Sequence, residues 1–387
     1  MRKITRRNSL YVFFAIYMFF WMAENLLSPY LGLYYAQRGL SATQLGQINS
    51  WFSAAVIASS LAVGTLGDKL GKLSRMLILL LCGMIAGTFL LSIAGSYGTI
   101  TLAVLVYGAS YAPVNAITDK LLMDRLRERP ETFGKYRMGG TVGAGIGVLL
   151  SGVLLPALGF GSLFVGYWMA VLLCIFGILT LPQEMDSVHL DKACWQDYLA
   201  IMRHRRFLPI YLTMAIWGFT EVGAAQFLAL HILRSGLKSY YTSLFVSVAM
   251  VGECIGFFMA PRLICRLRPH QIIAITFTLQ VFRMGSLALL GSIPLAVTFF
   301  FQFIGGSAYA QIYSLTTQMI SETFSLKVSC SAHTLKLVVN RGIGFTCGSL
   351  SLGYVFDVLA SSYAYAILVA SSACMVIVSL LLGHWFE

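Results

Sequence analysis

Charge is scarce in this chain. Of 387 residues only 11% are Asp, Glu, Lys or Arg, against 58% hydrophobic residues, and the mean hydropathy is +0.78. That leaves too little polar surface to cover a soluble globule and implies an integral membrane protein. Negative charge is scarcer than positive: 15 Asp and Glu stand against 27 Lys and Arg, a formal charge of +12. In a soluble protein this excess would raise the question of nucleic acid. Here most of it falls in loops on one side of the membrane, the positive-inside pattern, and no nucleic-acid partner is expected. Paired cysteines are lacking too. Cys82, Cys174, Cys194, Cys254, Cys265, Cys330, Cys347 and Cys374 lie singly, without metal-ligand spacing, so neither a disulfide framework nor a metal site is expected. No His-Glu-x-x-His, no Gly-x-Ser-x-Gly and no phosphate-binding loop occurs, which argues against an enzyme.

Long apolar runs fill the space that charge leaves. They lie at Leu10–Ala36, Leu45–Leu66, Met76–Ala94, Thr99–Leu122, Gly139–Leu158, Ser162–Leu181, Phe207–Leu230, Tyr241–Ile264, Ile272–Leu290, Pro294–Ile320, Leu335–Val355 and Ser362–Leu382. Each is long enough to cross a bilayer, giving twelve spans of an all-α membrane protein. Arg2, Lys3, Arg6 and Arg7 before the first run suggest a secretory signal. The run is too long, however, and no Ala-x-Ala-like site follows, so it is read as a retained first span. The basic clusters at Arg2–Arg7, Lys69–Arg75, Arg125–Arg137, Arg203–Arg206, Arg262–Arg268 and Lys327 all fall on one side, which makes both termini cytoplasmic.

The longest hydrophilic segment, 182–206, separates an N-terminal half (1–181) from a C-terminal half (207–387). In it Trp195, Tyr198, Leu199 and Met202 recur at helical spacing beside Lys192 and Arg203, the pattern of an amphipathic linker on the inner membrane surface. The halves repeat weakly. Glu24 and Glu221, Gly39-Leu40 and Gly236-Leu237, and Gly145-Ile146-Gly147 and Gly342-Ile343-Gly344 pair off at one constant offset. Tyr111-Ala112 and Tyr309-Ala310 follow at one residue more. A constant register argues for two pseudo-symmetric six-helix bundles related by an axis along the membrane normal. Gly139, Gly143 and Gly147 on span five, and Gly344 and Gly348 on span eleven, form faces for close helix contact, expected where the halves meet.

Between spans two and three, Gly64 to Arg75 reads as a tight, charged cytoplasmic turn. Gly64, Gly67 and Gly71 suit close approach or positive φ, while Lys69, Lys72 and Arg75 hold the turn inside. Its pattern Gly-x-Leu-x-Asp-Lys-x-Gly-Lys resembles the signature loop of the major facilitator superfamily, which implies two six-helix bundles and transport by alternating access. By that resemblance Gly64, Asp68, Lys69, Gly71 and Lys72 are expected to set the balance between inward-open and outward-open states.

Ionisable residues near the bilayer centre cost on the order of 2.5–3.5 kcal/mol each, and Glu24, Glu221, Glu253, Arg283 and Arg341 all lie inside spans. Val251-Gly252-Glu253, Ala260-Pro261 and Val281-Phe282-Arg283 resemble the eighth and ninth helices of the lactose permease and its proton-coupled relatives. Phe219-Thr220-Glu221-Val222 is similar to that permease's seventh-helix acidic site, whose partner is a base on helix eleven. Arg341 or Lys336 would supply that base here, Arg341 being preferred. Pro113 to Lys120 with Gly134-Lys135-Tyr136-Arg137-Met138-Gly139 resembles the helix four to five hairpin of the same branch, including the phenylpropionate permease group with its Thr-Asp pair, here Thr118-Asp119. These resemblances imply that Glu253 and Arg137 contact substrate and that Arg283 tunes a nearby carboxylate. The chain departs from the pattern at Gln302 and Gly305, where the permease carries its His and proton-carrying Glu, and at Asn115, where it carries its sugar-contacting Glu. Lactose is therefore not the expected substrate.

Neutral candidates complete the cavity: Tyr111, Asn115 and Asp119 at every fourth residue of span four, Gln302, Tyr309 and Tyr313 on span ten, and Trp217 one turn before Glu221. Aromatic planes with amides suit a sugar, a nucleoside or an aromatic acid. The expectation is a monomeric transporter of the plasma (inner) membrane, with a small-molecule substrate and the lipid bilayer as its partners. It would be a proton-coupled symporter with no cofactor but the coupling proton. A proton-driven exporter and a non-transporting sensor are the alternatives. Glu253 ranks first as proton carrier and Glu24 second, with Glu221, Arg341, Lys336, Arg283 and Asp119 as the remaining charge-pair candidates.

Overall fold

The computed structural model describes residues 6–70, 73–126, 133–181, 201–204, 207–324, 332–333 and 335–385. The apolar runs are helices, and no β-sheet forms among the described residues. Ten helices there are long and apolar enough to cross a membrane, and spans two and eleven complete the twelve. Span one is Arg6–Leu27, continued as Leu31–Gln37 after a single 3-10 turn at Ser28–Tyr30. Pro29 lacks the N–H that an unbroken α-helix would use there. Spans two to six are Ala42–Leu70, Leu73–Ile93, Tyr97–Arg125, Gly139–Leu158 and Phe160–Leu179. Span seven is Phe207–Ala225, resumed as Leu228–Arg234. Spans eight to ten are Tyr240–Arg266, Pro269–Ala288 and Leu295–Thr323, and span twelve is Ser361–Leu381. Span eleven opens with a π-helical turn, Val338–Gly344, before Phe345–Val358.

The expected turn at Gly64–Arg75 is shorter than the sequence suggests. The helix of span two runs through Gly64 and Gly67 to Leu70, and the next begins at Leu73. Hydropathy marks where a helix leaves the bilayer, not where its hydrogen bonding stops, and charged residues sit well on a protruding end. Gly71 and Lys72 lie outside the described residues, as do the side chains of Asp68 and Lys69. Among the described residues positive φ falls at Gly39 (80°), Gly159 (74°), Gly236 (77°) and Gly291 (93°). These are the short connections on the opposite side, and Gly39 and Gly236 hold the same place in the two repeats.

The chain forms two compact units, Met1–Tyr34 with Trp51–Lys192, and Tyr35–Ser50 with Ala193–Glu387. In the first, span five lies directly on span one. A methyl group at Gly139, Gly143 or Gly147 would run into the carbonyl oxygens of Phe14, Met18 and Met22. In the second, Gly344 meets the Ala215 carbonyl and Gly348 the Phe219 carbonyl, which a Cβ would approach to 2.7 Å. Both glycine faces thus join helices of one unit, where bare backbones approach closely. The outer end of span two belongs to the second unit. There Asp357 accepts the backbone N–H groups of Ala42 (2.9 Å) and Thr43 (2.7 Å), a carboxylate at a helix N-terminus. Of the linker, 201–204 lies within the described residues: Ile201 is in the apolar core of the second unit and Met202 is exposed.

Candidate functional site

In the first unit, Glu24 is 5% exposed and no Lys or Arg pairs with it among the described residues. It is held by two phenols: the Tyr107 hydroxyl donates to Oε2 at 2.6 Å and the Tyr167 hydroxyl to Oε1 at 3.1 Å. Tyr17 and Trp21 share its face of span one at helical spacing. Tyr17 donates to Asp119, and Arg137 Nε lies 3.5 Å from the same carboxylate. The Arg137 guanidinium covers the rings of Tyr17 (4.9 Å) and Trp21 (5.6 Å), a cation–π arrangement. Gly140 makes room for it, since a Cβ there would stand 2.7 Å from Trp21 and 2.8 Å from Arg137. Tyr111 is stacked on Phe20, centroids 6.0 Å apart, and Asn115 is half-buried.

In the second unit, Arg283 of span nine is the centre. Its Nη1 lies 3.7 Å from Glu221 Oε2, and its Nε donates to Gln302 Oε1 at 3.0 Å. Glu253 lies within electrostatic reach of both Glu221 and Arg283. Gly305 creates the berth: a Cβ there would be 2.6 Å from Arg283 Cδ, 2.7 Å from Cβ and 2.8 Å from Cγ. One of the residues at which the chain departs from the permease pattern is therefore the one that admits the aliphatic stem of Arg283.

The expected pair between Glu221 and Arg341 does not form. Arg341 sits in the π-helical turn and lays its guanidinium over Phe345, 5.0 Å from the ring centroid. The expectation assumed an unbroken α-helix through span eleven, and a wider turn changes which face each residue presents. Lys336 is not on Glu221 either. It donates to Thr317 Oγ1 at 2.8 Å and lies 3.9 Å above the Tyr313 ring. Tyr313 leads to Tyr309 (5.8 Å) and Tyr309 to Trp217 (6.4 Å), a ladder of tilted rings.

Sequence reasoning passed over Tyr17, Trp21, Tyr107 and Tyr167. For the first two a signal existed, because Tyr17, Trp21 and Glu24 are spaced four and three residues apart on one helix face. For Tyr167 there was none, as no spacing links span six to span one.

The MFS_1 like family model matches residues 11–367 of this chain. The putative nucleoside transporter YegT of Escherichia coli (strain K12) is 23% identical over 291 residues, 72% of this chain and 64% of that transporter's length. The maltose permease of Geobacillus stearothermophilus is 23% identical over 351 residues, covering 89% of this chain and 87% of that one. The crystal structure of the nucleoside transporter NupG superposes with a TM-score of 0.83 at 14% identity, covering 98% of this chain and 99% of that one.

Proposed function

The chain belongs to the MFS_1 like family, within the major facilitator superfamily, and from that premise we propose that it is a proton-coupled symporter of a small polar solute. As a member it is a multi-pass secondary transporter and not an enzyme, and it works by alternating access. The observation that carries proton coupling is the charge count in the second unit. Glu221 and Glu253 share one guanidinium, that of Arg283. Two carboxylates and one fixed cation leave a net negative charge in a low-dielectric medium, and one bound proton removes it. Charge neutrality thus makes proton binding part of the resting state of that cluster, and Glu253, which makes no direct ion pair among the described residues, is the carrier. Tyr309, Cys254 and Tyr365 are neighbouring titratable groups; Arg341, which reaches Tyr309, lies over Phe345 and pairs with neither carboxylate among the described residues.

Glu24 supports a second reading, because it is buried with no counter-ion among the described residues and its two phenols can serve as donors to a carboxylate or rearrange around a carboxyl. The experiment separates proton-driven accumulation from downhill exchange in proteoliposomes, for Glu253→Gln and Glu24→Gln. Loss of accumulation with exchange retained in Glu253→Gln is expected. Accumulation that survives in Glu253→Gln removes it as carrier, and the same selective loss in Glu24→Gln moves the role there.

The similarity to a putative nucleoside transporter and a maltose permease supports a ring-bearing polar substrate. In the second unit Tyr309 and Tyr313 offer planes for such a ring, whereas Trp217 and Gln302, each 1% exposed, are closed to it, contrary to the expectation for them; in the first unit Arg137 and Asn115 are half-buried polar groups. The coupling proton is the only cofactor in this reading, and the protein works as a monomer in the inner membrane with both termini cytoplasmic.

A further inference from the structure

Lys336 is a buried cation that the proton chemistry leaves unused. It is 6% exposed, and its ammonium has three donors. One goes to the Thr317 hydroxyl at 2.8 Å, and the group lies 3.9 Å above the Tyr313 ring. Neither partner is an anion. The acids of the second unit among the described residues are engaged elsewhere. Glu221 is with Arg283, and Glu253 lies in the same cluster. Glu322 accepts from Gln318 Nε2 at 2.6 Å, and Asp357 caps span two. A desolvated cation without a counter-charge is costly, and a static bundle would hold an apolar side chain there at less cost.

We propose that Lys336, Thr317 and Tyr313 form an anion subsite that receives the carboxylate of a monoanionic aromatic solute. Tyr313 is 44% exposed, so it keeps surface free for a second planar group, and the half-buried Tyr309, 5.8 Å from it, extends that surface away from the ammonium. A carboxylate on a short arm from a ring meets both requirements: its oxygens take the free donors of Lys336 while the ring follows the tyrosines. Neutral sugars and nucleosides would leave the ammonium as it is. His333 lies within electrostatic reach of Lys336, and burial followed by the Lys336 charge lowers its pKa. Arg341, within electrostatic reach of Tyr309, adds favourable potential at longer range. The subsite rests on the transport reading for its meaning, but its binding signature is separable from flux.

The test uses the full chain in lipid nanodiscs. Phenylacetate, 3-phenylpropionate and 4-phenylbutyrate are each titrated against the corresponding amide, with uridine and maltose alongside. At least one acid is expected to bind tenfold or more tightly than its amide. Lys336→Gln should erase that preference without weakening amide binding, and Lys336→Arg should retain it. Should Lys336→Gln fail to fold, Thr317→Val serves in its place and should reduce the acid-over-amide ratio severalfold. The proposal is overturned if no acid in the wild-type protein shows the preference, or if the preference persists without Lys336 or Thr317. Acid binding that depends on Lys336 but gives no uptake into proteoliposomes would leave the subsite standing and sink the symport reading. Uptake of uridine or maltose with no acid preference would do the reverse.

Discussion

Adding one methyl group at Gly305 should break the charge cluster that Arg283 organises. The new Cβ would lie 2.7 Å from the Arg283 Cβ, where ordinary contact begins at 3.4 Å. Because the Arg283 Cβ is fixed to its backbone, a change of rotamer cannot relieve the clash; spans nine and ten must part by roughly the difference, about 0.7 Å. The 3.0 Å hydrogen bond from Arg283 Nε to Gln302 Oε1, which joins the same two spans, then stretches beyond hydrogen-bonding distance, and with it goes the anchor that holds the guanidinium beside Glu221. Crowding alone costs about 1–3 kcal/mol. Leaving a buried carboxylate uncompensated costs up to about 3–5 kcal/mol more, and since the Glu221 side chain is 22% exposed the lower part of that range applies. The assay is the melting temperature of four purified proteins: wild type, Gly305→Ala, Glu221→Gln and the double variant. With Glu221 neutral the methyl should cost only its crowding, so the two substitutions should be clearly non-additive. A Gly305→Ala protein that melts like wild type, or one that loses as much with Glu221→Gln as without it, refutes the reasoning.

Two further outcomes follow from the packing and the outer end of span two. Burial pushes the Asp357 carboxyl up, but hydrogen bonds from the Thr43 side chain and from the Thr43 and Ala42 backbone, with Ser41 contributing, outweigh it and hold the group below its usual value. A depressed carboxyl stabilises the fold above its unfolded pKa and loses that contribution as pH falls through the folded one. Asp357→Asn should therefore lower the melting temperature at pH 7, with the gap to wild type closing below about pH 3.9; a gap that stays constant down to pH 3 would contradict this. On span five, Gly143→Val should abolish the monodisperse peak in gel filtration because its side chain would enter the Met18 carbonyl, whereas Gly145→Ala, with nothing within 4 Å, should be tolerated. Equal yields of the two would show that the glycine face is not a backbone contact.

Much of the fold is written in hydropathy. Span five begins and ends at the residues where its apolar run does, Gly139 and Leu158. Span two overruns its apolar stretch at both ends because its polar ends, from Ala42 and to Leu70, remain helical outside the apolar slab. The break at Ser28–Tyr30 was marked by Pro29, but the π-helical turn at Val338–Gly344 has no marker of that kind. The candidate site was legible as a set of residues and not as a set of partners. Mid-span Glu221, Glu253 and Arg283 stand out because charge there is costly. Which base meets which acid depends on helix rotation and neighbour identity, and Gly305 decided it for Arg283 by what it lacks.

The backbone contact of span five on span one also has a consequence for how the chain is made. Met18 and Met22 enter the membrane early, whereas Gly143 and Gly147, which cover their carbonyls, are synthesised after three more spans. At about 5–20 residues per second, span one waits on the order of ten seconds for span five, and Glu24 lacks Tyr167 throughout. Span seven waits similarly for Gly344 and Gly348. Each half is thus assembled by a late arrival closing on an early one, so a nascent chain stalled before span five exposes an acidic helix with only Tyr107 of its two donors in place. That intermediate is the one a membrane quality-control protease or insertion chaperone would meet.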